Sequence, residues 1–326
     1  MHWDTASLYF DKKQIVKIEI EKLKIVIGTR GSELALAQTK QIAEQLSALS
    51  KDIQPEIEII RTTGDVQTGS LRGIGGQGVF TKELEKALID KRIDLAIHSL
   101  KDLPSRFASE LSLVGTPQRE DVRDVIIANS AIKGLADLPI GAKIGTGSAR
   151  RQTQLKALRP DLRLHDIRGN LDTRIKHVGK GDYAAVILAA AGLHRLKWND
   201  KINFYLTREQ MLPAVGQGAI GLQMLHNHPH QDLISKLNDD KTFAAITAER
   251  KLLRLLRGGC HSPIAAWARE EDDLLVMDGR VGNLDGREIL HATAKGSAKD
   301  PEKVAVKVAE SLLKQGAEDL IEANHE

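Results

Sequence analysis

The sequence predicts two similar α/β domains followed by a smaller α+β domain. Strand-length apolar runs alternate with helical patterns across residues 23–225, as expected for α/β layers around mainly parallel sheets. The tripeptide Ile-Gly-Thr occurs twice, at Ile27-Gly28-Thr29 and Ile144-Gly145-Thr146, each time at the end of an apolar run. The chain's 326 residues are about twice a common domain length, and the pattern changes from about Asp240 onward.

The elements follow in order. Residues 1–22 form an extension that alternates in Ile15-Val16-Lys17-Ile18-Glu19-Ile20; a solvent-edged strand, a tail and a leftover of expression all suit it. It has no Arg and no apolar block of signal-peptide length. Leu23-Lys24-Ile25-Val26-Ile27 reads as a strand opening onto Ser32 and a helix marked by Leu34, Leu36, Ile42 and Leu46. A second strand tip at Gly145-Thr146-Gly147-Ser148 opens onto a helix marked by Leu155 and Leu158. Asp94-Leu95-Ala96-Ile97 is echoed by Asp182-Tyr183-Ala184-Ala185-Val186. Pro and Gly at Gly115-Thr116-Pro117 and Leu212-Pro213-Ala214-Val215-Gly216 mark two crossings between the domains, and two crossings imply a hinge and a cleft. The boundaries expected are 23–117 with 214–238, then 118–213, then 239–326. The last contains a helix through Ile246, Leu252, Leu255 and Leu256, short strands over 264–293, and a helix over 301–323.

Composition narrows the function. Hydrophobic residues make up 41% and charged residues 28%, so substantial cores can be buried. The longest apolar run, 184–192, is half the ~18 residues a membrane span requires. A net charge of +3 and 3% aromatic residues leave little attraction and few stacking platforms for nucleic acid. One cysteine, Cys260, forms no internal disulfide, so a reducing cytoplasm is expected. No cluster suggests a metal site.

Local charge is the exception. Residues 145–174 hold seven Lys and Arg against three Asp, more net charge than the whole chain carries. Arg150 and Arg151 fall in the first turn of a predicted helix, where cations oppose the macrodipole, so something anionic should be near. With Thr146, Ser148 and free helix N–H groups they form a receptor for carboxylate or phosphate; a solvated basic face is the alternative. Arg30 and Ser32 hold the equivalent place in the first domain, and Lys101 follows the strand ending near His98. Asp102 beside it either stabilises a developing cation or caps a helix or pairs with a base. Gly73-Ile74-Gly75-Gly76-Gln77-Gly78 reads equally as a lid or a linker. Cys260 sits in Arg257-Gly258-Gly259-Cys260-His261, as an apolar filler, an activated thiolate or a covalent anchor.

Together, Gly28-Thr29-Arg30-Gly31-Ser32, His98-Ser99-Leu100-Lys101-Asp102-Leu103-Pro104, Gly145-Thr146-Gly147-Ser148-Ala149-Arg150-Arg151, Arg168-Gly169-Asn170-Leu171-Asp172-Thr173-Arg174, Leu212-Pro213-Ala214-Val215-Gly216-Gln217-Gly218-Ala219 and Gly258-Gly259-Cys260 closely resemble the hydroxymethylbilane synthase, or porphobilinogen deaminase, family. Number and order make the signal. The resemblance implies two periplasmic-binding-protein-like domains with a hinge and cleft, and a third domain bearing a dipyrromethane cofactor tethered to Cys260. It implies condensation of four porphobilinogen molecules with release of ammonia, giving linear hydroxymethylbilane for heme and other tetrapyrroles, by a monomer acting on porphobilinogen and the growing oligopyrrole. Asp102 matches the catalytic carboxylate. Lys101, Ser99, Thr146, Ser148, Arg150, Arg151, Arg174 and Asp102 match cofactor-binding positions. Arg30, Ser32, Gln38, Arg168, Arg174, Arg195 and Gln217 match substrate-binding ones. Gln77 and Gly147 depart from the commoner Lys and Ser.

Overall fold

The computed structural model describes residues 22–62, 81–258 and 262–323. Residues 1–21, the glycine-rich segment, Gln77 and Cys260 lie outside them.

The first lobe is a five-stranded sheet in the order β2-β1-β3-β10-β4. Its strands are β1 (Leu23–Thr29), β2 (Ile53–Ile59), β3 (Leu95–Ser99), β4 (Leu111–Gly115) and β10 (Ile220–Leu225). β1 runs parallel to β2 and β3, while β10 is antiparallel to β3 and β4. On one face, α1 (Glu33–Leu49) buries Ile42 and Leu46 against Ile25, Ile27, Leu95 and Ile97. On the other, α2 (Lys82–Ile89) buries Leu84 and Leu88 beside Ala96. Period-2 alternation sends Ser99 and Ile97 to the α1 face and His98 to the α2 face.

The second lobe repeats the plan as β7-β6-β8-β5-β9. Its strands are β5 (Asp124–Ala128), β6 (Lys143–Gly145), β7 (Arg163–His165), β8 (Ala185–Ala189) and β9 (Phe204–Tyr205). β6 is parallel to β7 and β8, and β5 antiparallel to β8 and β9. β6 thus occupies the place of β1 and β8 that of β3, the strands that carry the two sequence echoes. Its helices are α3 (Ala149–Leu158), α4 (Leu171–Gly179) and α5 (Ala190–Arg195). Residues 116–123 and 206–219 cross between the lobes.

The third unit is an antiparallel sheet of β11 (Ile264–Glu271), β12 (Leu274–Gly282) and β13 (Ile289–Ser297). Beyond α6 (Gln231–Ser235), α7 (Asp240–Leu255) leads into this unit, and α8 (Pro301–Lys314) and α9 (Ala317–Ala323) complete it. Leu252, Leu256, Met277, Val308 and Leu312 form its core. The single helix expected over 301–323 is broken at Gly316, whose φ of +98° is open to glycine without steric cost.

Candidate active site

Each lobe presents its polar residues where a strand tip meets a helix. β1 ends at Thr29, just before Arg30, and Ser32 caps α1 by accepting from Ala35 N at 3.3 Å. One turn into α1, the Gln38 amide exchanges hydrogen bonds with the Ser99 hydroxyl at 3.0 and 3.1 Å, tying the helix to the tip of β3. The chain then tightens into a 3₁₀ turn over Leu100–Asp102. Leu100 N donates to Ala219 O on the second crossing. Gly216 (φ +73°) allows that approach, because a Cβ there would stand 3.1 Å from Leu100 C and Lys101 N.

In the second lobe Ser148 caps α3, and Thr146 Oγ1 accepts from Ser148 N at 3.4 Å. Arg150 and Arg151 are buried, and the anion beside them belongs to the protein. Asp124, at the head of β5, accepts from Arg150 Nη1 at 2.8 Å and from Arg151 Nη2 and Nε at 2.7 and 3.0 Å. Arg150 also donates to Leu212 O, and Arg151 to Ile187 O. The two guanidiniums hold the Asp124 carboxyl far below the ordinary carboxylate range. The expectation of an external anion for this pair is thus met largely from inside. Arg150 faces Asp124 and Leu212 and does not line the cavity described next. Gln217, expected to touch substrate, is fully buried; its amide donates to Val122 O and Asp124 Oδ1 at 2.7 and 3.1 Å, which makes it part of the junction between the crossings.

Between the lobes, Gln38, Ser99, Lys101, Arg151, Arg174 and Arg195 line one cavity of about 60 Å³, together with the apolar Leu34, Leu171, Leu188 and Gly192. Six of the residues picked from sequence therefore meet at one place. Arg174 is steadied by a bond from its Nε to Gly169 O at 2.8 Å, and Arg195 by one from Nη2 to Gly218 O at 2.7 Å. Burial, joined at Lys101 and Arg174 by neighbouring cations, shows in their proton affinities. Burial and the Arg151 guanidinium bring Lys101 down to about 8, against an opposing pull from Asp102 and Asp124. Burial, Arg151 and Arg168 bring Arg174 down to about 10, again opposed by Asp102. Arg195 falls to about 10 through burial, with Glu120 opposing. Asp102, exposed on the same turn as Lys101, is thus close enough to act on both Lys101 and Arg174. Arg168 is exposed, and Arg30 half-buried. A larger cavity of about 330 Å³, lined by Asn129, Ile175, Val178, Asp200, Lys201 and Asn203, contains none of the residues picked from sequence. Among the described residues no group of His, Cys, Asp and Glu is placed to hold a metal.

Among the described residues, the cavity therefore carries more cations than acids to neutralise them. A ligand with several carboxylates would relieve the repulsion and restore Lys101 to full charge, while the apolar wall would take the flat face of a ring.

Family models match most of the chain: "Porphobilinogen deaminase, dipyromethane cofactor binding domain" over residues 25–232, and "Porphobilinogen deaminase, C-terminal domain" over residues 243–314. The porphobilinogen deaminase of Syntrophobacter fumaroxidans is 42% identical over 91% of this chain and 97% of its own length. That of Chlorobaculum parvum is 45% identical over 92% and 97%, and that of Deinococcus deserti 41% over 93% and 99%.

Proposed function

The chain belongs to the porphobilinogen deaminase family, and from that premise we propose how its own residues carry the family's reaction. The enzyme is a transferase of tetrapyrrole biosynthesis that joins four porphobilinogen molecules head to tail with loss of ammonia, giving hydroxymethylbilane. The observation that carries the assignment of residues is the meeting of Lys101, Arg151, Arg174 and Arg195 around one cavity beside Asp102. Each pyrrole bears an acetate and a propionate, so a growing chain is a polyanion, and the surplus of cations suits it.

The same surplus fits a dipyrromethane, whose four carboxylates need several cations in a confined place. When bound, that group supplies the pyrrole end from which the chain grows. Lys101, Arg151 and Arg174 hold its acidic arms, assisted by Ser99, Thr146 and Ser148; Arg150 contributes indirectly, through Asp124. Arg195, Gln38, Arg30, Ser32 and Arg168 receive the arms of the incoming porphobilinogen. Charge-assisted contacts of this kind contribute about 1.5–3 kcal/mol each. Asp102 accepts from pyrrole N–H groups, stabilises the positive charge that develops as ammonia departs, and takes up or returns a proton at its carboxylate oxygens. Cys260 is the point of covalent attachment. In support, α7, the helix leading toward it, is fastened next to the catalytic turn: Arg250 donates to Leu103 O and Pro104 O at 3.1 and 2.6 Å. The enzyme acts as a monomer in the cytoplasm, and no described helix is long and apolar enough to cross a membrane.

Asp102→Asn tests the central role. The variant is expected to fold, to carry the cofactor by intact mass, and to lose most turnover, by about 10²-fold or more. Near-normal turnover would remove Asp102 from the chemistry.

A further inference from the structure

Arg195 lines the cation-rich cavity from the last position of α5, and its Nη2 donates to Gly218 O at 2.7 Å. A guanidinium has five N–H donors; with one directed at Gly218 O, the others can fork onto a ligand carboxylate. Where that fork points depends on how Gly218 O and α5 are held.

Both are held by Glu120, on the first crossing. Its N donates to the same Gly218 O at 3.2 Å, and the two crossings run so close that a Cβ on Gly218 would stand 2.4 Å from Glu120 O. Its Oε1 accepts from Asp121 N at 2.8 Å and lies 3.0 Å from Nδ1 of His194, the chain neighbour of Arg195. Burial works against charge on this carboxyl, but Asp121 N, His194 and Arg195 hold it below the ordinary carboxylate range. On the far side of the imidazole, Nε2 lies 2.9 Å from the Tyr205 hydroxyl. A carboxylate only accepts, so Nδ1–H donates to Glu120 and Nε2 accepts from Tyr205. Tyr205, on β9, is covered in turn by the Arg123 guanidinium 4.2 Å from its ring centre, and Arg123 is paired with Asp121. The contacts close a ring: Arg195 to Gly218 O, Gly218 O to Glu120, Glu120 to His194, and His194 back to Arg195 through the chain. A single anchor would leave this short helix free to turn about its axis; the second, at His194, fixes the turn and with it the direction of the Arg195 side chain.

We infer that His194 is a positioning residue for porphobilinogen binding: held between Glu120 and Tyr205, it aims Arg195 at an incoming carboxylate. The inference rests on the part given to Arg195 in the proposed function, and it adds a residue that touches no reacting atom.

The test measures initial rates of the holoenzyme against porphobilinogen concentration. His194→Leu, which offers neither a donor to Glu120 nor an acceptor to Tyr205, should raise KM about tenfold and leave kcat within about twofold, the pattern of lost uniform binding. His194→Asn, whose side-chain amide can donate to Glu120 in place of Nδ1, should return KM to within about threefold of the wild type. Because His194 acts through Arg195, adding His194→Leu to Arg195→Gln should raise KM no further than Arg195→Gln alone. A wild-type KM in His194→Leu overturns the inference, as does a KM in His194→Asn as high as in His194→Leu, or additive effects in the double variant. Tyr205→Phe removes one oxygen and should raise KM about threefold; an unchanged KM there overturns the inference, also where His194→Leu does not fold. If Arg195→Gln leaves KM unchanged, the reading of the site fails and the inference with it. If Arg195→Gln raises KM while the His194 and Tyr205 variants do not, the inference alone fails.

Discussion

Asp124 decides how the basic site is built. It is fully buried and receives two guanidiniums and the Gln217 amide, so its removal leaves two buried cations uncompensated. Asp124→Asn should cost about 3–5 kcal/mol in urea unfolding. Because its folded pKa is depressed, the stabilisation is complete above the unfolded value near 4 and is lost as pH falls below it; the variant should lack that acid-limb loss. Lys101 titrates the other way. With its pKa at about 8, it discharges as pH rises through that value, whereas a bound polycarboxylate raises its pKa. Binding at pH 8 should therefore take up protons, visible as a buffer-dependent heat in calorimetry, and Lys101→Met should abolish most of that uptake. The sequence pointed to Arg151 and Arg174 because charge density is countable, and to Lys101 because it follows the strand ending near His98, but it missed the role of Asp124. A signal was present: an acid heading Val125-Ile126-Ile127 enters a buried strand and so requires a partner.

At the scale of elements, β3 leads into the turn that holds Lys101 and Asp102, and a polar chain braces it from behind. His98 Nε2 lies 2.9 Å from Gln223 Oε1, and Gln223 Nε2 donates to Glu85 Oε1 at 3.1 Å, which links β3 through β10 to α2. With the amide so oriented, His98 donates from Nε2 and is neutral; burial brings its pKa to about 4. A depressed histidine favours folding where it is neutral in both states. Stability should therefore be complete above about pH 6.5 and fall as pH drops from there toward 4. His98→Gln should remove that slope in thermal melts across pH 4–7. The strands β1, β3, β6 and β8 were legible because central strands must be apolar on both faces, and their equivalent places in the two sheets explain the Ile-Gly-Thr and Asp-led echoes. The break at Gly316 was not legible, since the apolar period continues through Leu320 and Ile321 on the far side.

For the whole molecule, a single carboxylate fastens both crossings to the third unit. Glu249, fully buried on α7, accepts from Arg119 Nη1 at 2.6 Å, from Gly216 N at 2.8 Å and from Ala268 N at 2.9 Å. Arg119 lies on the first crossing, Gly216 on the second and Ala268 on β11. Glu249→Gln should lower stability by on the order of 3 kcal/mol in urea unfolding and make the crossings more accessible to protease, while changing the third unit's own core little. The crossings were legible from Pro and Gly, but Glu249 was not, because pairing across 130 positions leaves no local pattern. In the proposed function, the cations around Lys101 serve a primer anchored at Cys260 and extended under Asp102. The most direct measurement is the intact mass of freshly purified protein before and after porphobilinogen. The predicted result is a chain heavier by one dipyrromethane, gaining pyrrole units in steps, with the attachment lost in Cys260→Ala. An unmodified chain that porphobilinogen cannot load, or a Cys260→Ala chain that still carries the group, would contradict it.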